Sequence, residues 1–447
     1  MAGNKSTIGA LLDETGGSIK TGPFGTKLKA AEYTATGVPV ISVGEVGFGR
    51  LRIHHDTPRV DETVTSRMPE FLLKAGDIVF GRKGAVERSA QIQPHEDGYF
   101  LGSDGIRIRL NFGTCDPRFI SYQLQTMAHR SWMIQHAAGT TMPSLNEGII
   151  RRIPIILKPF AEQNAIAAVL GALDDKIELI RRMNSTLEAM ARALFQSWFV
   201  DFDPVRAKLD GRAPVGLDPA TAALFPATFQ ESARGPIPHG WDARPVAELA
   251  DVVKGRSYRS EELAESKTAL VTLKSFLRGG GYRADGLKPF TGNYKPNQRV
   301  RAGDLVVALT DVTQTADVIG KPALVRSDDR FETLVASLDV GIVKPKSQNA
   351  SLPFLYCLFM TEEFKAHTYS HATGTTVLHL GSSVILSFVS IVPPAIVAEK
   401  FAERADPIFR LIDENARQSR ILANLRDTLL PRLLNGDVQV LIERHPT

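Results

Sequence analysis

One stretch of this chain occurs twice, and that repeat constrains the fold more than any other feature. Ala138-Gly139-Thr140-Thr141 returns 235 residues later as Thr373-Gly374-Thr375-Thr376, and Ile156-Leu157-Lys158-Pro159 returns at the same offset as Ile391-Val392-Pro393-Pro394. Between and beyond these markers the register holds without a gap. After the first copy, Ile166, Leu170, Leu173, Ile177, Ile180, Asn184, Leu187, Ala191 and Leu194 step alternately by four and three. Apolar residues at that spacing form an a/d seam of about four heptads, the pattern of a coiled-coil helix. The same offset lands on Phe401, Ala405, Ile408, Ile412, Asn415, Ser419, Leu422, Arg426 and Leu429, a weaker form of the same seam. The chain therefore reads as a tandem duplication, each half a non-helical domain followed by a long helix. A period this long excludes a solenoid, whose units run roughly 20 to 50 residues.

The 447 residues suffice for two to three domains with full cores, and 43% hydrophobic with 23% charged residues is an ordinary globular balance. No apolar run approaches a membrane span, and the first residues lack the basic-then-apolar pattern of a signal peptide, so the expected location is the cytoplasm. The two cysteines, Cys115 and Cys357, lie in unlike contexts and read as buried thiols rather than a disulfide or zinc site. A net charge of +4 permits nucleic-acid binding without demanding it. Residues 1–150 hold 16 Lys+Arg against 15 Asp+Glu, so any affinity for DNA must come from local clustering.

Residues 1–150 read as short strands and turns: Val38 to Val43, Ala75 to Phe80, an Arg50 to Ile53 strand, and Gly102 to Leu110. In the last, Ile106 and Ile108 alternate with Arg107 and Arg109, which predicts a strand with a basic outer face. Asp116-Pro117 opens a helix expected to run from Arg118 to His136. Residues 241–390 repeat the order: Ala269 to Leu273, Ala302 to Val307, and a helix opened at Leu352-Pro353. Residues 204–240 carry six prolines counted to Pro238 and four glycines, a linker composition expected to stop any helix after Phe202. Leu217, Leu224, Phe225 and Phe229 within it predict an ordered strap; a loose linker is the alternative. The helical regions are then 151–203 and 391–447. In the second, Asp406-Pro407 either caps a fresh helix or kinks a longer one, and the helix is expected to end near Leu430, ahead of Pro431 and Asn435-Gly436.

No catalytic constellation is visible. Gly44 to Gly49 resembles a phosphate loop only loosely, there is no P-loop, and Asp203-Pro204-Val205 does not meet the Asn/Asp-Pro-Pro-aromatic pattern of amino-methyltransferases. His367 and His371 share a helix face, with no further ligand to complete a metal set. The positive signal is basic residues beside turns: Lys20, Lys27 and Lys29 around Gly22-Pro23-Phe24-Gly25, then Arg50 and Arg52, Arg82 and Lys83, Arg107 and Arg109. Lys254, Arg256 and Arg259, then Lys274, Arg278 and Arg283, are the clusters of the second copy. Such side chains neutralise phosphates, and Arg takes guanine bidentately in the major groove. Singly each is an ordinary solvated charge; their recurrence in both copies carries the DNA reading. The repeated pairs Thr140, Thr141 and Thr375, Thr376 complete the candidate set.

Asn184 interrupts the first seam, and its counterpart region is polar at Asn415 and Ser419. Buried Asn at a seam position fixes register and partner at a cost in stability. Such layers in both helices favour pairing with each other, antiparallel if the domains lie at opposite ends; an intermolecular coil is the alternative. The pairing residues would be Ile166, Leu170, Leu173, Ile177, Ile180, Asn184 and Leu187 with Ile408, Ile412, Asn415 and Leu422.

These motifs resemble the specificity subunits of type I restriction-modification systems. Thr21 to Gly25 with Gly37 to Ile41 is similar to the opening of their target recognition domains, and Ala75-Gly76-Asp77-Ile78-Val79 to an internal strand. Pro159-Phe160-Ala161-Glu162-Gln163, Leu194 to Pro204 and Arg426 to Leu434 are similar to the borders of the family's conserved helices. The second copy departs in reading Pro394-Ala395-Ile396-Val397-Ala398-Glu399, and in having Lys254-Gly255-Arg256-Ser257 where the first has the Gly-Pro-Phe-Gly turn. The resemblance implies an α+β chain with two mixed target recognition domains in tandem pseudo-repeat, and long helices pairing as an antiparallel coiled coil. It implies a non-catalytic subunit that reads a bipartite, asymmetric site in double-stranded DNA. It further implies two methyltransferase subunits carrying S-adenosylmethionine, and restriction subunits carrying ATP and Mg, with no cofactor on this chain. The competing reading is a two-domain protein-interaction scaffold, which would lack the steep salt dependence of phosphate contacts.

Overall fold

In the computed structural model of the chain, residues 4–440 are described except 26, 55, 112, 114, 140, 314 and 348. The chain divides into two compact units, Met1–Ile177 with Ile421–Thr447, and Glu178–Arg420. Both boundaries fall inside the long helices, Phe160–Phe199 and Ala395–Asn435, so each unit is a mixed domain plus a segment of each helix.

In the first unit, Asn4–Thr7 pairs antiparallel with Pro154–Leu157 and ties the start of the domain to the residues entering the helix. A five-stranded sheet runs in the order Ser18–Thr21, Gly105–Arg109, Ile78–Gly81, Ser89–Gln91, Phe48–Gly49. A smaller sheet places Val38–Ile41 parallel to Phe100–Leu101. One face of the large sheet, with Ile78, Phe80, Ile106 and Ile108, packs on Phe119, Ile120, Leu124 and on Ile166 and Leu170 of the long helix. Its other face, with Val79 and Ala90, packs on Val40, Ile41, Leu73 and Phe100. The strand Gly105–Arg109 is therefore covered on both sides, and the basic outer face expected for it does not exist. Alternation marks two faces of a strand, not which of them meets water.

The second unit has the same plan. Ala250–Lys254, Val340–Pro345, Leu305–Ala308 and Pro322–Leu324 form its main sheet in that order. Thr268–Val271 lies parallel to Thr333–Ala336, and Asp242–Pro245 pairs with Val389–Val392. The helix expected over 118–136 is two helices, Pro117–Gln125 and Met127–His136, broken at Thr126, which is extended (ψ 150°) and caps the second through its hydroxyl. Thr361 makes the same break between Leu352–Phe359 and Glu362–Ser370. Thr at an N-cap accepts the otherwise unpaired N–H of the third helical residue, which stabilises a restart at that point.

The 204–240 segment is an ordered strap. Pro204 begins a helix, Asp203–Leu209, instead of stopping one: Phe202 turns left-handed at φ 56° and the ring of Pro204 occupies the first turn, where its missing N–H costs nothing. Phe225 and Ile237 are buried, and Leu217, Leu224 and Phe229 pack against the core of the second unit. That core is aromatic: Phe195 lies 5.1 Å from both Phe199 and Phe354 and 5.8 Å from Phe401.

The second long helix runs unbroken through Pro407 and through Pro431 to Asn435, where Gly436 (φ 83°) ends it. It does not end near Leu430 as Pro431 leads one to expect, because leucines around Pro431 are buried. Leu430, Leu433 and Leu434 are all buried in the first unit. Burying leucines at about 1.5–3 kcal/mol each outweighs the roughly 3 kcal/mol a helix proline costs. Of the expected pairing residues, Ile166, Leu170, Ile177, Ile180, Ile412 and Asn415 are buried, while Leu173, Asn184, Leu187, Ile408 and Leu422 are half-buried. In the second unit Asn415 donates to Asn184 Oδ1 at 2.9 Å, Asn184 donates to the Ile412 carbonyl at 3.2 Å, and Phe195 meets Phe401. Positions rise on one helix as they fall on the other, so the two segments in this unit run antiparallel. In the first unit Asp174 meets Arg426, and Ile166 and Leu170 share a core with Leu430 and Leu433, in the same sense.

Candidate nucleic-acid interface

In the first domain, loops from four places in the sequence are bonded together beyond one end of the main sheet. The Gly22 to Gly25 turn follows the strand Ser18–Thr21. A Cβ on Gly22 would stand 1.8 Å from the Gly102 carbonyl oxygen, so only glycine lets these two backbones approach. Thr21 donates through its backbone N–H and its hydroxyl to Glu147 Oε1, both at 2.9 Å, pinning the turn to a short helix, Glu147–Arg151. Arg82 leaves the strand Ile78–Gly81 and donates to the Ser103 carbonyl at 3.1 Å, with its guanidinium 5.3 Å from the ring of Phe24. Lys83 lies 3.8 Å from Asp104. The Leu145 N–H donates to the Arg82 carbonyl, and Gly84 to that of Pro143. This fixes the Ala138–Ser144 hairpin beside Arg82, with Thr141 exposed at its tip.

This cluster brings together Lys27, Arg82, Lys83 and Thr141 of the predicted set; Lys27 belongs to the turn, donating its N–H to the Phe24 carbonyl at 2.8 Å. Thr140 lies outside the described residues. Lys29 is exposed just beyond, and Lys20 is half-buried with its ammonium 4.9 Å from the Phe71 ring. Arg52 is exposed on the turn that the Val46–Leu51 bridge closes; that bridge replaces the strand expected over 50–53.

Three predicted contacts are corrected. Arg107 is 4% exposed and lies 3.9 Å from Asp77. Burial presses its charge down, and Asp77 opposes that shift. Arg109 grips both oxygens of Asp77 at 2.7 Å, a hydrogen-bonded pairing that raises its pKa. Arg50 bonds Asp175 of the long helix at 2.6 Å. It joins a group in which Tyr122 donates to Asp174 at 2.7 Å and Arg426 to the same carboxylate at 2.6 Å. Desolvation and the neighbouring Asp174 carboxylate push the Tyr122 phenol well above its usual range. These arginines hold the domain together and fasten it to its helices.

The second domain repeats the arrangement with other side chains. A Cβ on Gly255 would stand 2.2 Å from the Ser337 carbonyl oxygen, the counterpart of Gly22 against Gly102. Arg256 accepts the Leu338 N–H at 2.8 Å, and its guanidinium is held by the Asn293 carbonyl at 2.7 Å and Glu262 at 3.2 Å. Lys254 and Arg259 are exposed on the same loop. The Thr373–His379 hairpin, with Thr375 and Thr376 exposed, pairs with Thr310–Asp311. Lys274 and Arg278 are exposed on a separate turn, and Arg283 bonds Asp285 at 2.7 Å.

His367 donates through Nε2 to the Val384 carbonyl at 2.9 Å, and His371 through Nδ1 to the His367 carbonyl at 2.8 Å. Among the described residues no three metal-ligating side chains gather, and no helix is long and apolar enough to cross a membrane. Cys115 and Cys357 are buried free thiols; burial and Asp116 push Cys115 up to about 12. Sequence reasoning missed the exposed apolar tips of these loops, Phe24 and Met142 in the first domain and Val312, Leu338 and Val377 in the second. The available signal was a large apolar side chain inside a glycine-proline turn.

The two domains share one sheet plan, each carries a loop cluster with exposed cations, and each is joined to a long helix. Residues 21–189 match the family model of the type I restriction modification DNA specificity domain. The chain is 23% identical over 415 residues to the type I restriction enzyme HindI specificity subunit of Haemophilus influenzae, covering 82% of this chain and 87% of that one. It is 25% identical over 328 residues to the MjaIX specificity subunit of Methanocaldococcus jannaschii, covering 72% and 69%. In fold it is similar to the S subunit of a type I restriction-modification system from M. genitalium, with a TM-score of 0.51 at 16% identity, covering 96% of this chain and 95% of that one. Residues 21–189 are thus similar to a type I restriction modification DNA specificity domain, and most of the chain is similar to type I restriction enzyme specificity subunits.

Proposed function

We propose that this chain is the non-catalytic DNA-reading subunit of a cytoplasmic type I complex, recognising a bipartite, asymmetric site with one domain per half-site. Residues 1–150 and 241–390 are the two readers, and the helical regions 151–203 and 391–447 space them. The observation that carries this reading is the recurrence of one loop cluster, built on Gly22 and the 138–144 hairpin in one domain and on Gly255 and the 373–379 hairpin in the other. Conserved backbone geometry with different side chains suits two readers of different sequences. Base edges discriminate through the side chains presented, while the frame only sets their position.

In this reading the helices pair as an antiparallel coiled coil along their length and dock two methyltransferase subunits, which bind S-adenosylmethionine and flip an adenine in each half-site. Restriction subunits with ATP and Mg join for cleavage. A helix of 40 residues rises about 60 Å, more than one DNA turn of roughly 34 Å. The test is to purify the chain with its methyltransferase subunit and sequence N6-methyladenine in DNA the complex has modified. A split motif with one modified adenine on each side of a fixed gap is expected. Four residues inserted in each helix, preserving their register with each other, should lengthen that gap and leave the half-sites unchanged. A short continuous motif, or no association, would overturn the reading and favour a protein-interaction scaffold.

A further inference from the structure

Exposed apolar side chains are uncommon at the tips of loops whose other residues are charged, and here they recur. Phe24 is 59% exposed at the apex of its glycine-proline turn, and Met142 is 59% exposed on the hairpin fixed beside it. Neither contributes to a core. In the second domain Val377 occupies the hairpin position 235 residues after Met142 and is 36% exposed, while Leu338, bonded through its N–H to Arg256, is 48% exposed. Two diverged domains thus share an apolar hairpin tip, Met142 and Val377, and each adds a second exposed apolar side chain from another loop of its cluster, Phe24 in one and Leu338 in the other, where solvent exposure alone would favour polar residues.

Resting on the DNA-reading function above, we propose that Phe24 is a stacking wedge: its ring inserts against a base of the first half-site where the duplex is opened, with Met142 covering the adjoining edge. The surroundings favour a nucleic acid over a protein partner. The Arg82 guanidinium lies 5.3 Å from the ring, and Lys27 shares its turn. An exposed aromatic ring in a turn that also carries cations fits a base with its flanking phosphates. The tight approach of Gly22 to Gly102 and the Thr21–Glu147 bonds hold the turn rigid, so little ordering cost falls on binding. Among the described residues of the second domain's cluster the exposed apolar tips, Leu338 and Val377, are aliphatic, so its contact is the smaller one of an aliphatic group against a base edge or thymine methyl, without ring stacking.

The experiment uses the complex of this chain with its methyltransferase subunit, and as probe a duplex carrying the site it methylates most fully, with 2-aminopurine placed in one half-site or the other. Phe24→Ala is expected to weaken binding roughly tenfold, the scale of one lost base–aromatic stack. The salt dependence should stay unchanged, because no phosphate contact is removed. The fluorescence change in the first half-site should fall while that in the second persists, and Phe24→Trp should restore both affinity and signal. Unchanged affinity in Phe24→Ala would overturn the wedge. So would weakened association with the methyltransferase subunit in the absence of DNA, which would make Phe24 a subunit contact. If the unsubstituted complex fails to bind any duplex in a salt-dependent way, the DNA-reading function itself fails, a result distinct from a silent Phe24.

Discussion

Replacing Asn184 by leucine tests whether the polar layer between the helices serves stability or register. Asn415 is 6% exposed and donates to Asn184 Oδ1 at 2.9 Å. Asn184→Leu removes that acceptor and strands the Asn415 amide in a buried seam, a penalty of about 1–3 kcal/mol. The added apolar contact returns part of this, since Asn184 is only half-buried. The expected net loss is about 1–2 kcal/mol, or a fall in Tm of about 2–8 °C for a unit of this size. Asn184→Leu with Asn415→Leu removes both polar groups together, and should match or exceed the stability of the unsubstituted chain. Thermal and urea unfolding of the two single variants and the double give the coupling, expected at 1 kcal/mol or more in the stabilising direction. If Asn184→Leu alone stabilises as much as the pair, Asn415 was never dependent on its partner, and the reasoning fails.

Asp174→Ala should destabilise the first unit by about 2–4 kcal/mol, because Tyr122 and Arg426 each lose a partner in a site where the Asp174 side chain is 13% exposed; urea unfolding reads this, and a change below about 0.5 kcal/mol would refute it. Gly22→Ala should disrupt the loop cluster, since the new methyl cannot coexist with the Gly102 carbonyl. DNA affinity is expected to collapse while circular dichroism of the rest of the chain stays unchanged. His129 gives the pH dependence. Burial lowers its pKa despite the Pro154 carbonyl at 2.8 Å from Nε2. The unfolded chain therefore binds the proton first as pH falls below about 6.5, so stability rises with pH between the depressed folded value and that point. Urea titrations across that range should show the slope in the unsubstituted chain and a shallower one in His129→Gln; equal slopes would refute it.

What was legible in the sequence was the periodic part. Alternating steps of four and three named the seam of both helices, and the offset of 235 named the second domain although few of its side chains agree. What was illegible depended on which elements cover which. Arg107 and Arg109 read as an outer face because alternation is blind to a second sheet packed on the far side. Arg50 read as a phosphate ligand because its partner, Asp175, is 125 residues away. Pro431 reads as a stop because the burial of Leu433 and Leu434, which offsets its cost, comes from tertiary packing that local sequence does not encode. The exposure of Phe24 is not legible, since an apolar side chain in a turn reads as core until the fold shows it 59% exposed.

The division of the long helices between units has a consequence for synthesis. The first unit needs residues 421–434 to cover Ile166 and Leu170, yet the whole of the second unit lies between them in the sequence. At the ribosome's 5–20 residues per second, that intervening stretch takes about 12–50 s to emerge. The unit encoded second is contiguous and closes first, while the unit encoded first waits with a greasy helix face open to chaperones and to neighbouring nascent chains.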